Sequence, residues 1–218
     1  MEIRGVTKSL VEYLRTQIIT GNLPPGQKLN EIRLSSDLGV SRPPLREAFR
    51  ILEHDRLVAS IPRKGTYVTG ISPEDLQEVY EAREMIECYA IDLLEAKNIT
   101  DLPQMASALA KASRLSIPSH VDSHEMLLYR ETFADYHIKL VESAGNSRIS
   151  HFYQTISSSL ARYEYMHFSM PEAARRSLEE HQQILNLIRT ADYHQAKECL
   201  RSHLAYTTQF PKGILTEG

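Results

Sequence analysis

Two histidines near the end of the chain have a spacing that could form one binding site. His181 and His203 lie 11 residues before and 11 residues after Asp192, and a turn is predicted at Ala191-Asp192-Tyr193. In an antiparallel pair of helices this equal count places both imidazoles at one level, ~16 Å from the turn. The two side chains can then share a cavity and bind Zn²⁺ or another divalent transition metal, provided that a third ligand completes the site.

A different chemistry is indicated near the N-terminus. Ser41 can cap a predicted helix that begins after it, and Arg42 and Arg46, four residues apart, share one face of that helix. Helix N-terminal amides and the serine hydroxyl can take a phosphate, and an arginine fork matches the O6 and N7 acceptors of guanine in the major groove. Arg50, one turn further, could hold the DNA backbone. Each arginine taken singly is also consistent with a simple solvated helix face.

Two features extend this basic motif. Pro43 and Pro44 stiffen the first helical turn, where missing amides cost no helical hydrogen bond. Arg63, Lys64 and Gly65 form the tip of a predicted β-hairpin, and the glycine lets the backbone approach a minor groove or a phosphate closely. The order of helix, helix-turn-helix and basic hairpin within about 70 residues predicts DNA binding.

Hydrophobic periodicity predicts the elements that position these residues. Residues 1–71 are expected to form a winged helix-turn-helix domain. Its helices are predicted at 8–20, at 31–38 after the capping residue Asn30, and from Ser41 onward, and its strands at 57–61 and 66–71. Leu10, Val11, Leu14, Ile18 and Ile19 are expected to face the core from the first helix, and Leu45, Ala48, Phe49 and Leu52 from the third.

From Ser72 onward the strand signals disappear. Helices are predicted at 73–97, 101–115, 120–144, 147–167, 171–190 and 192–209. The fold class is therefore mainly α, with an all-α six-helix bundle over residues 72–210 and a frayed tail at 211–218.

Charge and composition narrow the class of protein. Residues 1–70 carry 11 Lys and Arg against 7 Asp and Glu, whereas residues 71–218 carry 14 against 21. A basic first part on an acidic second part favours a polyanion as the partner of the first part. Two cysteines are too few for a disulfide framework, and no stretch is long and apolar enough for a signal peptide or a membrane span. We expect a cytoplasmic protein without a membrane partner.

Three separated blocks in the first part resemble the winged-helix domain of GntR-type bacterial transcription regulators. They are residues 23–31, 38–48 and 61–68. The resemblance implies that a homodimer binds a palindromic double-stranded operator, with major-groove contacts from Arg42 and Arg46 and minor-groove contact from Lys64 and Gly65. Arg33 matches a position near the family's other DNA-contacting helix. Pro43 stands where the family usually has Thr, which would remove one phosphate hydrogen bond.

Three blocks in the second part resemble the FCD effector-binding domain of the FadR branch of that family. They are residues 133–146, 180–184 and 196–204. The resemblance implies that residues 72–210 bind an effector and dimerise, and that His137 is the third metal ligand beside His181 and His203. Metal-binding members carry an acidic or amide residue four positions before His137, where this chain has Phe133. Asp135 lies roughly 200° around the helix from His137, so it should not replace that ligand.

The expected site is therefore a three-histidine site with open positions for water or a ligand carboxylate. The alternative is that the histidines form hydrogen bonds in a polar pocket or bind an anion directly. The resemblance also places Arg83 in the effector pocket, where a guanidinium could bind a carboxylate through two hydrogen bonds. An ion pair between Arg83 and Glu87 at i+4 is an equally simple assignment, and Tyr80 could add a hydroxyl or only pack.

These observations predict a ligand-responsive transcription regulator. A small carboxylate metabolite would bind at Tyr80, Arg83 and the three histidines, and repression relieved by the effector is the usual direction in the family. Two alternatives remain at this stage. One is a metal-dependent hydrolase, although no general base and no H-E-x-x-H helix are found. The other is a dimeric DNA-binding protein without an effector.

Overall fold

The computed structural model describes residues 2–116 and 124–209 of the chain. Within these residues the fold is mainly α, with nine helices and three short strands. The chain divides between Pro73 and Glu74 into two compact units, called here the head and the bundle. The predicted tail at 211–218 and residues 120–123 of the third bundle helix lie outside the described residues. Among the described helices, none combines the length and apolarity that a bilayer crossing needs.

The head contains three helices and one small sheet. Its helices are α1 (Glu2–Ile19), α2 (Glu31–Asp37) and α3 (Arg42–His54). Its strands are β1 (Lys28–Leu29), β2 (Val58–Ile61) and β3 (Gly65–Val68). This order confirms the predicted winged helix-turn-helix fold, and α1 begins earlier than the prediction.

The apolar stripes of α1 and α3 form the core of the head. All the residues predicted to face inward from these two helices are buried, and Leu14, Leu45 and Leu52 have no exposed surface. Leu57 and Val68, at the two sides of the hairpin, close the same core. The helical period therefore predicted the packing correctly, because one face of each amphipathic helix must be removed from water.

The sheet has the strand order β1-β3-β2 with antiparallel neighbours. Strand β1 is not predicted from the sequence, because its two residues are too few to show an alternating pattern. β3 also ends at Val68 rather than at the predicted residue 71. The turn between β2 and β3 places Arg63 at φ 65° and Gly65 at φ 114°. The second value requires glycine, because other residues rarely adopt that backbone conformation.

Ser41 precedes α3 but does not cap it with its side chain. A capping serine accepts hydrogen bonds from the N–H groups of the second or third helical residue. In α3 these residues are Pro43 and Pro44, and neither has an N–H group. The prediction that Ser41 caps the helix through its hydroxyl is therefore wrong, whereas Asn30 does cap α2 by accepting from Ile32 and Arg33.

The bundle contains the six predicted helices. They are α4 (Pro73–Ala96), α5 (Pro103–Ala112), α6 (His124–Ser143), α7 (Ser147–Phe168), α8 (Pro171–Arg189) and α9 (Tyr193–Thr207). Within residues 74–116 and 124–209 no strand occurs, which confirms an all-α fold for the described part of this unit. Most helix ends lie within three residues of the predicted ones.

The turn between α8 and α9 has the predicted position. Ala191 adopts a left-handed conformation at φ 59°, and the Asp192 side chain accepts a hydrogen bond from the Gln195 N–H at 3.2 Å. The two helices run back along each other from this turn. His181 and His203, at equal distances along the chain from Asp192, consequently reach the same level of the bundle.

We expect that Leu52→Ala destabilises the head by about 2–5 kcal/mol, because it removes a fully buried side chain and leaves a cavity. Ile51→Ala, on the exposed side of the same helix, is the matched control and should cost much less. Amide hydrogen exchange of α1 and α3 peptides in the full chain measures the difference. Equal protection in the two variants would contradict the assigned core.

Candidate functional site

Three imidazoles converge in the centre of the bundle. His137 of α6, His181 of α8 and His203 of α9 are all buried. The Nε2 atom of His181 lies 3.0 Å from Nε2 of His137 and 3.2 Å from Nε2 of His203. The fold thus brings together all three histidines that the sequence analysis selected.

Two carboxylates hold the outer sides of two of these rings. His137 Nδ1 lies 2.8 Å from Glu87 Oε2, and His203 Nδ1 lies 2.7 Å from Glu180 Oε2. A carboxylate behind Nδ1 keeps the proton on that atom, so the Nε2 lone pair points toward the other histidines. Glu180 is not among the partners predicted from the sequence, and Glu87 is predicted only as a partner of Arg83.

Tyr136 fixes the third ring. Its ring stacks on the His181 imidazole with centroids 4.0 Å apart and planes 6° apart. The Tyr136 hydroxyl donates a hydrogen bond to the His181 carbonyl oxygen at 2.7 Å. His181 Nδ1 is buried and has no hydrogen-bond partner, so packing rather than a carboxylate orients this ring.

The three Nε2 atoms fit a transition-metal ion. In a tetrahedral site with metal–nitrogen bonds of ~2.0–2.1 Å, two ligand nitrogens are ~3.3 Å apart. The separations of 3.0 and 3.2 Å come close to that value. Without a cation, a single N–H between the rings could satisfy only one of these short contacts. The donor set therefore suits Zn²⁺ or another divalent transition metal.

Burial keeps the rings in the form that binds a metal. Burial, together with the Arg83 charge, lowers the pKa of His137 to about 4. Burial and the neighbouring His137 and His203 lower the pKa of His181 well below its usual value. Both imidazoles are consequently neutral near pH 7, and a neutral imidazole is the metal-binding form.

Glu87 accepts hydrogen bonds from three neighbours. Besides His137, Arg83 Nε donates to Glu87 Oε1 at 2.7 Å and the Tyr153 hydroxyl donates to the same oxygen at 3.0 Å. Burial alone would raise the pKa of Glu87, but His137 and Arg83 outweigh it and lower the pKa to about 2. The i+4 ion pair between Arg83 and Glu87, which the sequence left as an alternative, is present.

Arg83 has a second carboxylate partner. Its Nη1 atom lies 3.1 Å from Glu164 Oε1, and Glu164 Oε2 lies 3.2 Å from Nη1 of Arg130. Neither Glu164 nor Arg130 is predictable from the sequence, because ion pairs that join different helices have no fixed sequence spacing. Arg83 and Arg130 are thus largely engaged by acidic partners inside the bundle.

Phe133 stands at the position of the family's acidic metal ligand, and Asp135 is the acidic residue nearest to His137 along the chain. Phe133 is buried and packs its ring against the Phe168 ring, with centroids 4.7 Å apart. Asp135 is partly exposed and pairs with Lys139 at 3.7 Å. Neither residue supplies an oxygen to the histidines.

A cavity lies beside the imidazoles. It is small and holds about one water molecule. It is lined by Tyr80, Arg83, Phe133, Ala134, His137, Glu164, His167, Phe168, Ser177, His181, His203 and Thr207. The candidate effector residues Tyr80 and Arg83 therefore line the same cavity as the three histidines.

Two cavity residues differ from the sequence interpretation. His167 is not among the site residues predicted from the sequence, yet its ring lines the cavity, and burial lowers its pKa to about 4. Ser177, one turn before His181, was not considered at all. Tyr80 lies beside Arg83 and Thr207 but makes no hydrogen bond of normal geometry, and burial raises its pKa to about 12.

The predicted DNA-binding residues of the head lie on its surface. Ser41, Arg42, Pro43, Arg46 and Arg50 are exposed at the start and on the outer face of α3. Arg46 Nε contacts Glu31 Oε2 at 2.8 Å, and Arg50 contacts Glu47 at 3.4 Å. Exposed ion pairs of this kind contribute little free energy, so a phosphate or a base edge can replace the carboxylate.

Arg33 and the hairpin tip complete the exposed basic set. Arg33 is exposed on α2 and contacts Asp37 at 3.4 Å, while Arg63, Lys64 and Gly65 are exposed in the turn. A basic residue that the sequence analysis missed lies next to this tip. The Lys28 side chain reaches within 3.1 Å of the position that a Cβ atom would take at residue 65.

The head and the bundle each match the model of a known protein family. The model described as "Bacterial regulatory proteins, gntR family" matches residues 6–68, and the model described as "FCD domain" matches residues 78–206. The first range covers the head and the second covers nearly the whole bundle.

Individual relatives agree along almost the full length. The transcriptional repressor GlaR of Escherichia coli is 28% identical over 198 residues, which are 88% of this chain and 89% of GlaR. The gluconate operon transcriptional repressor of Bacillus licheniformis is 26% identical over 82% of this chain and 74% of its own length. A GntR regulator from Rhodococcus sp. RHA1 superposes with a TM-score of 0.72 at 25% identity, over 93% of this chain and 95% of its own.

We expect that Glu87→Gln destabilises the bundle by about 3 kcal/mol or more at pH 7, since it removes the charge that Arg83 and His137 face. The lowered pKa of Glu87 means that its contribution is complete above about pH 4.5 and is lost as the pH falls toward about 2. The difference from the parent protein should shrink over that range. Denaturant unfolding followed by circular dichroism measures it.

Glu84→Gln is the matched control on the same helix, because Glu84 is about half exposed and pairs with Arg201 at the surface. It should change the stability by less than about 1 kcal/mol. If Glu87→Gln were equally mild at pH 7, the buried carboxylate would not have the role given to it here.

Proposed function

The chain belongs to the GntR family of bacterial regulatory proteins and carries an FCD domain, and on this premise we propose that it is an effector-controlled repressor. As a transcription regulator it binds DNA, and its family and relatives are regulators rather than enzymes. The proposal adds that a homodimer binds a palindromic operator. It also adds that a small organic acid, bound beside a divalent metal ion in the bundle, changes operator affinity.

The convergence of three Nε2 atoms in front of two carboxylates carries the metal part of the proposal. His137, His181 and His203 would hold the ion. A divalent ion bound there supplies a Lewis-acid position that takes a carboxylate oxygen. Glu87 and Glu180 keep the Nδ1 protons of two ligands in place, and Tyr136 holds the third ring.

The charge balance of the bundle supports an anionic effector. Each of three acids beside the site has a cationic partner: Glu87 has Arg83, Glu164 has Arg83 and Arg130, and the partly buried Glu180 has Arg176 at 2.7 Å. These ion pairs already neutralise the carboxylates. Little negative charge therefore remains to offset a divalent ion held by neutral imidazoles. A carboxylate ligand would offset it, because buried charge is costly unless it is paired.

The narrow cavity supports a conformational response. Because it holds about one water molecule, an organic acid can enter only when side chains on α4, α6, α7, α8 or α9 move. In a dimer such movement would alter the spacing of two heads. Operator half-sites repeat with the duplex turn of roughly 34 Å, so a change of a few ångströms weakens binding.

On DNA, we assign the major-groove contacts to Arg42 and Arg46 and phosphate contacts to Ser41 and Arg50. The hairpin tip at Arg63, Lys64 and Gly65 would reach the minor groove, and Arg33 would lie near the backbone. The free Ser41 hydroxyl supports this assignment, because Pro43 and Pro44 leave it without a helical N–H to cap. The names of two relatives as repressors support repression as the direction of control.

We expect that Arg46→Ala weakens binding to the promoter fragment upstream of the chain's own gene by about 1–3 kcal/mol and reduces its preference over a mismatched fragment. Gel-shift titration of the full-length protein at fixed salt measures both quantities. Lys8→Ala, an exposed cation on α1, is the control and should keep the preference. An unchanged preference in Arg46→Ala would remove this residue from base readout.

Alanine at His137, His181 and His203 should abolish the metal that copurifies with the protein, measured by elemental analysis, and should abolish the effect of organic acids on operator binding. DNA affinity without effector should remain, because the head lies outside these changes. His151→Ala, an exposed histidine on α7, is the control. Retention of the acid response in the triple variant would show that the three histidines do not sense the acid, and the lack of any acid response in the parent protein would favour a bundle that only dimerises.

A further inference from the structure

Unpartnered polar atoms are concentrated in the bundle cavity. In the part of the chain that the structure describes, seven buried side-chain nitrogen or oxygen atoms make no hydrogen bond, and five of them belong to residues that line this cavity. A buried polar atom without a partner is costly, so most proteins avoid it. Their clustering at one place indicates a site prepared for a ligand with polar groups.

His167 is the clearest of these residues. Its side chain is 1% exposed, and neither ring nitrogen has a hydrogen-bond partner. The ring is held edge-on between the aromatic rings of Phe168 and Tyr206, with centroids 5.4 and 5.6 Å away. Packing therefore fixes the imidazole while its donor and acceptor stay unused.

Ser177 lies on the facing helix α8, one turn before His181. Serines elsewhere in the helices satisfy their hydroxyls locally: Ser143 and Ser157 donate to the carbonyl oxygen four residues back at 2.7 and 2.9 Å. Ser177 is fully buried and makes no such bond. Its hydroxyl, like the His167 ring, is available to a molecule in the cavity.

We propose that His167 and Ser177 form a second polar subsite, which binds a hydroxyl group of the effector. This inference rests on the proposed function, in which the effector's carboxylate lies at the three-histidine end of the same cavity. The effector class is then narrowed from organic acids in general to small hydroxy acids. His167 and Ser177 are the specificity-determining residues.

The chemistry of the subsite favours a hydroxyl over a second carboxylate. A neutral imidazole offers one donor and one acceptor, and a serine hydroxyl offers both, which matches an alcohol group. The arginines whose charge acts on His167 are Arg83 and Arg176, and both are already paired, with Glu164 and with Glu180. They leave little positive charge to bind a second carboxylate.

This arrangement would discriminate strongly. A site built to hydrogen-bond a hydroxyl rejects the analogue that lacks it, because the buried polar groups of the protein stay unpaired. Shape alone could not separate a hydroxy acid from its deoxy analogue so well, since a hydrophobic pocket discriminates only weakly between such molecules.

Calorimetric titration of the full-length protein with three matched pairs of acids tests the proposal. The pairs are glycolate and acetate, lactate and propionate, and 3-hydroxybutyrate and butyrate. For at least one pair the hydroxy acid should bind about tenfold or more tightly than its partner. In Ser177→Ala and in His167→Phe this preference should fall to about threefold or less, while the affinity for the deoxy acid stays nearly constant.

Stability supplies a readout that a purely structural role would not give. His167→Phe replaces two unpartnered nitrogens with an apolar ring, so the melting temperature of the ligand-free protein should rise as the hydroxyl preference falls. A structural histidine would show the opposite change in melting temperature. The matched controls are His151→Phe on the exposed side of α7 and Ser202→Ala on the exposed side of α9, and neither should change the preference.

The outcomes separate this proposal from the one on which it rests. Hydroxy and deoxy acids that bind equally well, and that lose binding in the triple histidine variant, would overturn the subsite and leave acid sensing intact. They would show that water satisfies His167 and Ser177. If none of the six acids binds to the parent protein, acid sensing by this cavity is overturned together with the subsite.

Discussion

The bundle depends on one carboxylate that has no contact with water. Glu87 is completely buried on α4, and an ionised carboxylate in that position is stable only when donors surround it. Arg83 from the same helix, His137 from α6 and Tyr153 from α7 supply those donors. Three helices are thereby joined at one side chain. The same contact keeps the proton of His137 on Nδ1 and turns its Nε2 lone pair inward, so the packing of the bundle and the orientation of a metal ligand have a single cause.

The cavity beside this carboxylate combines two kinds of polar group. Charged residues are paired with one another, which lets them be buried without a ligand. Neutral groups such as His167 and Ser177 are left without partners, and this lowers the stability of the ligand-free bundle. A ligand that supplies the missing hydrogen bonds regains that free energy on binding. Unpartnered groups such as His167 and Ser177 can therefore provide affinity and specificity, while before binding they only reduce the stability of the bundle.

The head shows a similar relation between local structure and exposed chemistry. Proline at residues 43 and 44 gives α3 a stiff first turn and removes the two N–H groups that a serine cap would use. Ser41 and the arginines that follow are consequently presented to solvent on a rigid helix end. The ion pairs of Arg46 and Arg50 with surface carboxylates are weak in water, so a polyanion can readily displace these carboxylates. The apolar face of α3 packs against α1 and keeps the basic face outward.

The sequence by itself determined the elements and the three histidines. An amphipathic helix must bury its apolar face, whichever element packs against it. Its helical period can therefore be recognised from the local sequence alone, and the helices and most of their ends could be predicted. The counts around Asp192 placed His181 and His203 at one level for the same reason, and the family resemblance added His137. Only the tertiary structure decided which side chains meet across helices. Glu180 behind His203, Glu164 between Arg83 and Arg130, and the inward positions of His167 and Ser177 depend on how the helices are rotated and packed. No spacing along the chain encodes such contacts, and β1, with only two residues, exists because β3 lies beside it and pairs with its backbone.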